Sequence, residues 1–298
     1  MNDHGDSQER EDPRGREERE RLSDAAVARY LERIGARRPE RADAEALREL
    51  HLRHLRTVPF ENLSIHLGED IVLDEKALVD KVVTARRGGF CYELNTAFAA
   101  LLRALGHRVD LLQARVFGPD GRVGIPYDHM ALLVRTGNGE RWLADVGFGD
   151  HSHLPLAFDE RGEQTDPAGV FLVREVPGAD GDLDVVRNGT PRYRLERRPR
   201  ALADFTAGAW YHRTSPDSHF TRGVICSLLT EEGRVSIGGR KLYRTVAGER
   251  VEREFGTDEE LREAYRDLFG IVLDELPAVR GAARGGAEGA AGEGKRSA

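Results

Sequence analysis

Apolar residues recur at three- and four-residue steps through the first third of the chain, which is the spacing of helices that bury one face. This pattern predicts helices at about residues 23–34, 43–56 and 74–84, and Gly35 and Pro59 end the first two. A fourth helix begins at Cys91, and its apolar positions include Leu94, Phe98, Leu101 and Leu105. Together these helices predict an N-terminal helical bundle over residues 21–106.

After Gly106 the apolar period changes to that of strands. Runs rich in β-branched and aromatic residues, separated by turn signals such as PDG and GNG, predict strands at residues 109–117, 129–135, 141–146, 170–176, 183–187 and 191–195. This succession over residues 107–200 favours an antiparallel barrel or a sandwich. Residues 201–280 are mixed, and they predict a helix near 202–211, strands at 224–230, 234–237 and 241–246, and a helix at 257–269.

The composition is that of a globular protein with one large domain or two to three small ones, since 39% of the 298 residues are hydrophobic and 33% are charged. No run of about 18 apolar residues occurs, so we expect no membrane partner. The net charge of −7 argues against a nucleic-acid partner. Residues 1–20 lack the apolar segment of a signal peptide, and we expect a cytoplasmic protein with a disordered arm there and a disordered tail at 281–298.

The two cysteines, Cys91 and Cys226, are too few for a disulfide framework and show no zinc-ligand spacing, so we expect no metal. Cys91 follows two glycines in RGGFCYELN (residues 87–95) and lies at a predicted helix N-terminus. Unpaired backbone N–H groups and the helix dipole stabilise a thiolate there, the form of cysteine that attacks carbonyl groups. Cys226 lies in the apolar run VICSL (224–228), and we interpret it as a packing residue.

A histidine and an aspartate flank the hairpin that is predicted to turn at residues 137–139. His129 opens the first strand, and Asp145 lies near the end of the second. If 137–139 form a three-residue loop, the numbers of paired residues sum to 276, and both side chains lie diagonally on one face. A two-residue loop would separate them. Taken singly, the histidine could be a surface residue and the aspartate could hold a turn.

These segments occur in the form and order of a known family. The segments RGGFCYELN (87–95), IPYDHMALLV (125–134) and RWLADVGFG (141–149), with PFENL (59–63) before them and TSPDSHFTR (214–222) after them, resemble those of the arylamine N-acetyltransferases. The resemblance covers most of the chain. It implies an α+β fold in three parts, with the helical bundle, a central antiparallel β-barrel and a C-terminal α/β lid around a cysteine-protease-like core. It also implies a catalytic triad of Cys91, His129 and Asp145.

The resemblance implies a substrate set as well. Acetyl-CoA would be the acyl donor, and small arylamines, arylhydrazines or N-hydroxyarylamines would be the acceptors, with ping-pong transfer through a thioester at the cysteine. The acceptor slot of the family matches three aromatic residues here, for which core packing is the alternative: Phe60, Phe148 and Phe220. The coenzyme A region matches Thr214, Ser215 and Gly124, the last in the loop at 124–127.

One structural role is also implied by the resemblance. The glutamate of the PFENL motif, Glu61, is expected to form a partly buried ion pair with Arg87, four residues before the cysteine. Such a pair would position the turn that carries Cys91. If the burial is deep, the loss of one partner would leave an unpaired buried charge.

Other functions remain open at this point. Papain-like and transglutaminase-like enzymes also use Cys, His and Asp or Asn, but no CGSCW-type signature occurs. An amide synthase that joins a polyketide thioester to an aryl amine would keep the same triad and fold, and the sequence does not separate it from an acetyltransferase. The intact triad argues against a non-enzymatic protein. A homo-oligomer is left open, because no feature of the sequence decides the oligomeric state.

Overall fold

A computed structural model describes residues 21–178 and 181–279. The disordered arm predicted for residues 1–20 and the tail predicted for 281–298 lie outside these ranges. Within them a 3₁₀ turn covers Leu202–Phe205, and the α-helices are α1 (Asp24–Ile34), α2 (Ala44–Thr57), α3 (Leu63–Leu67), α4 (Glu75–Val83), α5 (Cys91–Ala104), α6 (Thr206–Thr214), α7 (His219–Arg222) and α8 (Asp258–Phe269).

The described strands form two antiparallel sheets. The five-stranded sheet has the spatial order β1 (Phe60–Glu61), β10 (Ile225–Leu229), β11 (Gly233–Gly238), β12 (Lys241–Val246) and β13 (Glu249–Glu254). The eight-stranded sheet has the order β5 (Leu156–Ala157), β4 (Arg141–Ala144), β3 (His129–Arg135), β2 (Arg108–Val116), β9 (Thr190–Arg200), β8 (Leu183–Arg187), β7 (Gly169–Glu175) and β6 (Gln164–Asp166).

The eight-stranded sheet is a nearly closed barrel. Its two edge strands are linked through the side chain of Gln164, which accepts from Ala157 N at 2.7 Å and donates to Ala157 O at 3.0 Å. Together with the helices, this gives a mixed α and β fold whose central sheet is a barrel, so the sandwich alternative is wrong. The side-chain amide replaces the strand pairing that would complete the barrel.

Helices α1, α2 and α4 each begin directly after a capping residue. The side chains of Ser23, Asp43 and Asp74 each accept a hydrogen bond from the backbone N–H three residues further on, which satisfies a group that the helix itself leaves unpaired. Gly35 ends α1 in the left-handed conformation, with φ of 65°. The helices predicted near residues 23–34, 43–56 and 74–84 are therefore confirmed.

Helix α5 is buried from Cys91 to Leu102. Its side chains share a hydrophobic core with Met130, Leu132 and Val134 of β3. The alternate residues of the same strand, Ala131 and Leu133, pack inside the barrel. Because β3 is buried on both faces, it joins the helices to the barrel and sets the position of α5 against His129.

Several elements differ from the prediction. The helix expected near 202–211 is a 3₁₀ turn followed by α6, the strand expected at 141–146 ends at Ala144, and the strand expected at 191–195 runs from Thr190 to Arg200. The sequence did not predict α3, β1, β5, β6 or β13. These strands are two or three residues long or, in β13, exposed throughout, so neither apolar alternation nor a buried face marks them.

Strand β1 links the N-terminal helical part of the chain to the C-terminal sheet. Phe60 pairs with Ser227 and Glu61 pairs with Cys226 of β10, so a segment before the cysteine turn belongs to the C-terminal sheet. Cys226 is fully buried there among apolar side chains, and burial raises the pKa of its thiol well above the usual value. The interpretation of Cys226 as a packing residue is confirmed.

Candidate active site

Cys91 is the first residue of α5 and is almost fully buried. The turn before it is tight: a Cβ on Gly88 would lie 1.8 Å from the carbonyl oxygen of Pro59, so only glycine fits. At the start of the helix, Glu93 Oε2 accepts from the backbone N–H of Phe90 at 3.2 Å. These contacts hold the cysteine at the helix N-terminus, as the sequence predicted.

The ion pair expected beneath this turn is present. Arg87 Nε donates to Glu61 Oε1 at 2.9 Å, and Arg87 Nη2 donates to Glu61 Oε2 at 3.3 Å. Glu61 is 0% exposed and also accepts from the backbone N–H groups of Gly88 and Leu63. Burial alone would raise the pKa of Glu61, but the charges of Lys81 and Arg87 lower it below its usual value. The carboxylate therefore ties the cysteine turn to β1.

A second buried carboxylate lies in the first turn of α5. Lys81 Nζ contacts Glu93 Oε1 at 2.5 Å, which links α4 to α5. Burial and the nearby charge of Glu61 keep the pKa of Glu93 raised in spite of Lys81, whereas the charges of the two glutamates raise the pKa of Lys81. The cysteine turn is therefore flanked by two ion pairs. The second, between Lys81 and Glu93, was not predicted from the sequence.

The hairpin that carries the histidine and the aspartate has the predicted register. Leu132 pairs with Ala144 and Arg135 pairs with Arg141, so the numbers of paired residues sum to 276. Asp145 lies just beyond the end of β4, and its Oδ2 is 2.7 Å from His129 Nε2. Both side chains are buried, at 2% exposure each. The three-residue turn therefore brings the two groups together as expected.

Asn95 orients the aspartate, and we did not single it out from the sequence. Its Nδ2 donates to Asp145 Oδ1 at 3.0 Å and to Met130 O at 2.7 Å, while its Oδ1 accepts from Val146 N at 3.0 Å. Asn95 lies four residues after Cys91, which places both on one face of α5. That spacing was the available signal. The helix that presents the cysteine therefore also fixes the aspartate.

A glycine lets the hairpin approach the helix. A Cβ on Gly147 would lie 2.6 Å from Cys91 Cα and 2.7 Å from Asn95 Nδ2, closer than side-chain atoms pack.

His51 supports the backbone at the aspartate. Asp145 N donates to His51 Nε2 at 3.2 Å, and His51 Nδ1 donates to His153 O at 2.9 Å. Burial lowers the pKa of His51, so its neutral ring can accept that hydrogen bond.

His129 and Asp145 each stabilise the charged form of the other. Burial alone would lower the pKa of His129, but the Asp145 charge and hydrogen bond, together with the hydrogen bond and charge of Cys91, raise it from 6.5 to about 10. Burial would raise the pKa of Asp145, and the charge and hydrogen bond of His129 lower it to about 2. Between these two values the imidazole is protonated and the carboxylate is charged. A charged imidazole in contact with a thiol can stabilise a thiolate.

A cavity of about 450 Å³ opens over Cys91 and His129. Three aromatic residues predicted to contact the acceptor line it: Phe60, Phe148 and Phe220. The rings of Phe60 and Phe220 lie 6.1 Å apart, and the Phe148 ring meets the His129 ring edge to face at 5.1 Å. The structure therefore brings these three residues and the Cys-His-Asp group to one cavity.

The residues predicted to contact coenzyme A lie elsewhere. Thr214 and Ser215 are at the C-terminal end of α6, where Thr214 lines a separate cavity beside the exposed Trp210. Gly124 lies in the loop before β3, and its carbonyl oxygen accepts from Arg115 Nε at 2.7 Å. None of these three is among the residues that line the cavity over Cys91. Their contact with coenzyme A stays a prediction.

Among residues 21–178 and 181–279, no group of three His, Cys, Asp or Glu side chains is arranged to hold a metal ion. In the same ranges no helix has both the length and the apolar character that crossing a membrane requires. The two cysteines are free thiols.

Comparison with known proteins identifies the family. The family model described as N-acetyltransferase matches residues 43–278. An arylamine N-acetyltransferase from Mycolicibacterium smegmatis is 32% identical over 255 residues, which are 83% of this chain and 92% of that protein. A solved arylamine N-acetyltransferase from Salmonella typhimurium superposes with a TM-score of 0.77 at 28% identity, covering 84% of this chain and 92% of that one.

A solved arylamine N-acetyltransferase from Mycobacterium marinum, in complex with CoA, superposes with a TM-score of 0.74 at 28% identity, covering 82% of this chain and 92% of that one. The matches define an acyltransferase. The chain belongs to the arylamine N-acetyltransferase family, and the resemblance found in the sequence is confirmed.

Proposed function

We propose that this protein transfers an acetyl group from acetyl-CoA to the nitrogen of arylamines, arylhydrazines or N-hydroxyarylamines by a ping-pong mechanism. The observation that carries the proposal is the buried pair of His129 and Asp145 at 2.7 Å, with Cys91 in contact with the imidazole at the same cavity. The M. marinum relative solved with CoA supports a coenzyme A thioester as donor. Thr214, Ser215 and Gly124 remain our proposed contacts to it.

The first half-reaction uses the charged pair. The Cys91 thiolate attacks the carbonyl carbon of the donor thioester, and the bond to the sulfur of coenzyme A breaks. His129 gives its proton to the departing thiolate and is left as a neutral imidazole. Asp145 keeps the imidazole oriented by accepting the Nε2 hydrogen bond, so that the other ring nitrogen serves the sulfur.

The second half-reaction reverses these roles. The acceptor nitrogen attacks the carbonyl carbon of the Cys91 thioester, and the bond to the cysteine sulfur breaks. His129 takes the proton that the nitrogen loses, which restores the thiolate and the imidazolium. Phe60, Phe148 and Phe220 offer apolar surface for the aryl group of the acceptor. A reduced thiol is needed throughout, which favours action in the cytoplasm.

The relatives reported above are arylamine N-acetyltransferases, and this supports acetyl transfer over the amide synthase alternative. We also propose the division of the chain into a helical bundle at 21–106, a barrel at 107–200 and a lid at 201–280. The five-stranded sheet joins the first part to the third through β1.

Incubation with acetyl-CoA followed by intact-mass analysis tests the first half-reaction. We expect the mass of one acetyl group on the wild-type protein and none on Cys91→Ser, because a serine hydroxyl does not ionise readily at this site. Cys226→Ser is the matched control and should be acetylated and turn over an arylamine like the wild type. Acetyl transfer by Cys91→Ser at the wild-type rate would refute the mechanism.

A further inference from the structure

Strand β13 is one edge of the five-stranded sheet. It pairs with β12 on one side, and no described strand lies on its other side. Every residue of β13 is exposed, including Val251, whose exposure is 68%. An edge strand carries a row of unpaired N–H and C=O groups, which can pair with a strand of another chain. The edge of β13 is therefore open to such pairing.

The turn before β13 determines which of its backbone groups face outward. Val246 pairs with Glu249 across a two-residue turn at 247–248, where φ is 48° and 84°. In such a hairpin the pair that closes the turn is hydrogen-bonded, and hydrogen-bonded pairs then alternate along the ladder. At the far end Phe255 N donates to Arg240 O at 2.9 Å, in agreement with this alternation. The backbone groups of odd-numbered residues in β13 therefore face β12, and those of even-numbered residues face outward.

The sequence of β13, ERVERE, is complementary to itself in charge. If two antiparallel copies of the strand meet at a two-fold axis through Val251, Arg250 of each copy lies opposite Glu252 of the other. On the other face Glu249 of each copy lies opposite Arg253 of the other, and the two Val251 side chains meet at the axis. Opposite charges and apolar residues that face each other across strands stabilise a sheet. Arg250 and Glu252 both face outward, so each such pair can exchange both backbone hydrogen bonds.

The neighbouring registers lack this complementarity. An axis between two residues would pair an outward-facing residue with one that faces β12, so the backbone hydrogen bonds could not form. An axis through Arg250 would place that arginine opposite its own copy, and an axis through Glu252 would do the same with two carboxylates. Like charges that lie directly opposite each other destabilise a strand pair. Backbone geometry and charge therefore select the same register, with the axis through Val251.

The present partners of these side chains do not block the pairing. Glu252 lies 3.2 Å from Lys241, and Arg253 lies 3.6 Å from Glu260, and each of these four side chains is at least 43% exposed. Exposed ion pairs contribute little to stability, so both can be exchanged for contacts with a second copy. Glu249 forms no ion pair within the described part of the chain.

We propose that two copies of this protein associate through β13, antiparallel about a two-fold axis at Val251, so that their five-stranded sheets become one continuous sheet. A two-fold contact uses both open edges, so the assembly closes at the dimer. Because the strand is short, the dimer is weak and depends on concentration. No residue of β13 lines the cavity over Cys91, so the association is independent of the proposed acetyl transfer.

Sedimentation of the full chain from micromolar to millimolar concentration tests the association. We expect a monomer–dimer equilibrium for the wild type and a dissociation constant raised about 10-fold or more in Arg250→Glu, which sets like charges opposite each other twice. The double variant Arg250→Glu/Glu252→Arg exchanges the signs and should restore the dimer, which it can do only in this register. Arg29→Glu on α1, also exposed, is the control for net charge and should dimerise like the wild type. A monomeric wild type, growth beyond the dimer, or a double variant as weak as the single one would overturn the proposal.

A disulfide link tests the position of the axis. Residues 251 of the two copies would form a non-hydrogen-bonded pair with Cα atoms about 4.5 Å apart, within the range of a disulfide. Val251→Cys should therefore form a covalent dimer on mild oxidation. Glu249→Cys is the matched control, because its two copies would lie about 13 Å apart along the strands and should stay unlinked. The wild type, whose two cysteines are buried, should also stay unlinked. Failure of Val251→Cys to link, or equal linking of Glu249→Cys, would overturn the register.

Discussion

Two of the buried ion pairs around Cys91 differ in what their cation can do. On one side Glu61 binds Arg87, and on the other Asp145 binds His129. Both carboxylates are almost completely buried, and both have a lowered pKa because of the adjacent positive charge. The charge of Glu61 raises the pKa of Arg87 beyond its already high value, whereas the pKa of His129 is about 10.

The difference shows that burial and pairing alone do not mark a catalytic group. An arginine cannot release its proton at any pH where the protein is folded, so the Glu61 pair can only hold the cysteine turn in place. An imidazole changes charge at accessible pH and has a second nitrogen for the sulfur, so the Asp145 pair can move a proton in the proposed mechanism. The two pairs should therefore respond differently to the same carboxylate-to-amide substitution.

The largest effect is expected for Asp145→Asn. The amide removes the charge that supports the imidazolium and can present a donor where an acceptor is needed. We expect the rate of Cys91 acetylation to fall on the order of 10⁴-fold, as for the matching change in a serine protease triad. Asp184→Asn is the control, since Asp184 is also buried but binds arginines, and its acetylation rate should stay near wild type. A loss below 10-fold in Asp145→Asn would remove the contrast between the pairs.

The second effect is on folding. Glu61→Gln leaves the charge of Arg87 without its buried partner, and we expect the free energy of unfolding to fall by about 3 kcal/mol, at the low end for a broken buried pair because Glu69 also binds Arg87. The side chain of Glu69 is 44% exposed, so Glu69→Gln should cost under about 1 kcal/mol. Urea denaturation of both variants measures this. Equal decreases in the free energy of unfolding of the two variants would show that the burial of Glu61 does not strengthen its ion pair.

The smallest effect concerns pH. The folded-state pKa of His129 is raised above 6.5, so its contribution to stability is full below pH 6.5, declines as the pH rises, and is lost above about pH 10. The stability difference between wild type and Asp145→Asn should therefore shrink as the pH rises from 6.5 to 10. The difference between wild type and Glu61→Gln should stay constant there, because Arg87 does not titrate. Parallel pH profiles for the two variants would contradict this distinction.

Much of the helical bundle follows from local rules. The helices capped by Ser23, Asp43 and Asp74 begin where the sequence predicts helices, and Gly35 ends the first as predicted, because helix boundaries depend on residues three or four positions apart. The register of the hairpin between β3 and β4 is the one that the sequence predicted for a three-residue turn, because the length of the turn sets it. The strands β5 and β6 could not be found this way because they are only two and three residues long, and β1 could not because its partner β10 is distant in sequence.

The residues of the candidate site also divide into those that the sequence predicted and those that it did not. Cys91, His129 and Asp145 were found from motifs, and the Glu61 and Arg87 pair from the family resemblance, because each lies in a recognisable local segment. Asn95 was not predicted, although it lies in the same helix as Cys91, because its role depends on the approach of the hairpin. Arg192 and Arg234, which line the cavity, were not predicted for a related reason, since they lie in β9 and β11 and no short segment contains both.

The sequence alone determined the chemistry that is available: a thiol at a helix N-terminus and, given a three-residue turn, a histidine and an aspartate on one face of a hairpin. Those relations are short-range, so turn length and helix periodicity are enough to establish them. Only the tertiary structure decided which charges are buried together, that Gly147 lets the hairpin meet α5, and which arginines line the cavity. Burial shifts the pKa of each of these buried groups and strengthens the interaction between their charges. Burial in turn depends on contacts between segments that are far apart in the chain.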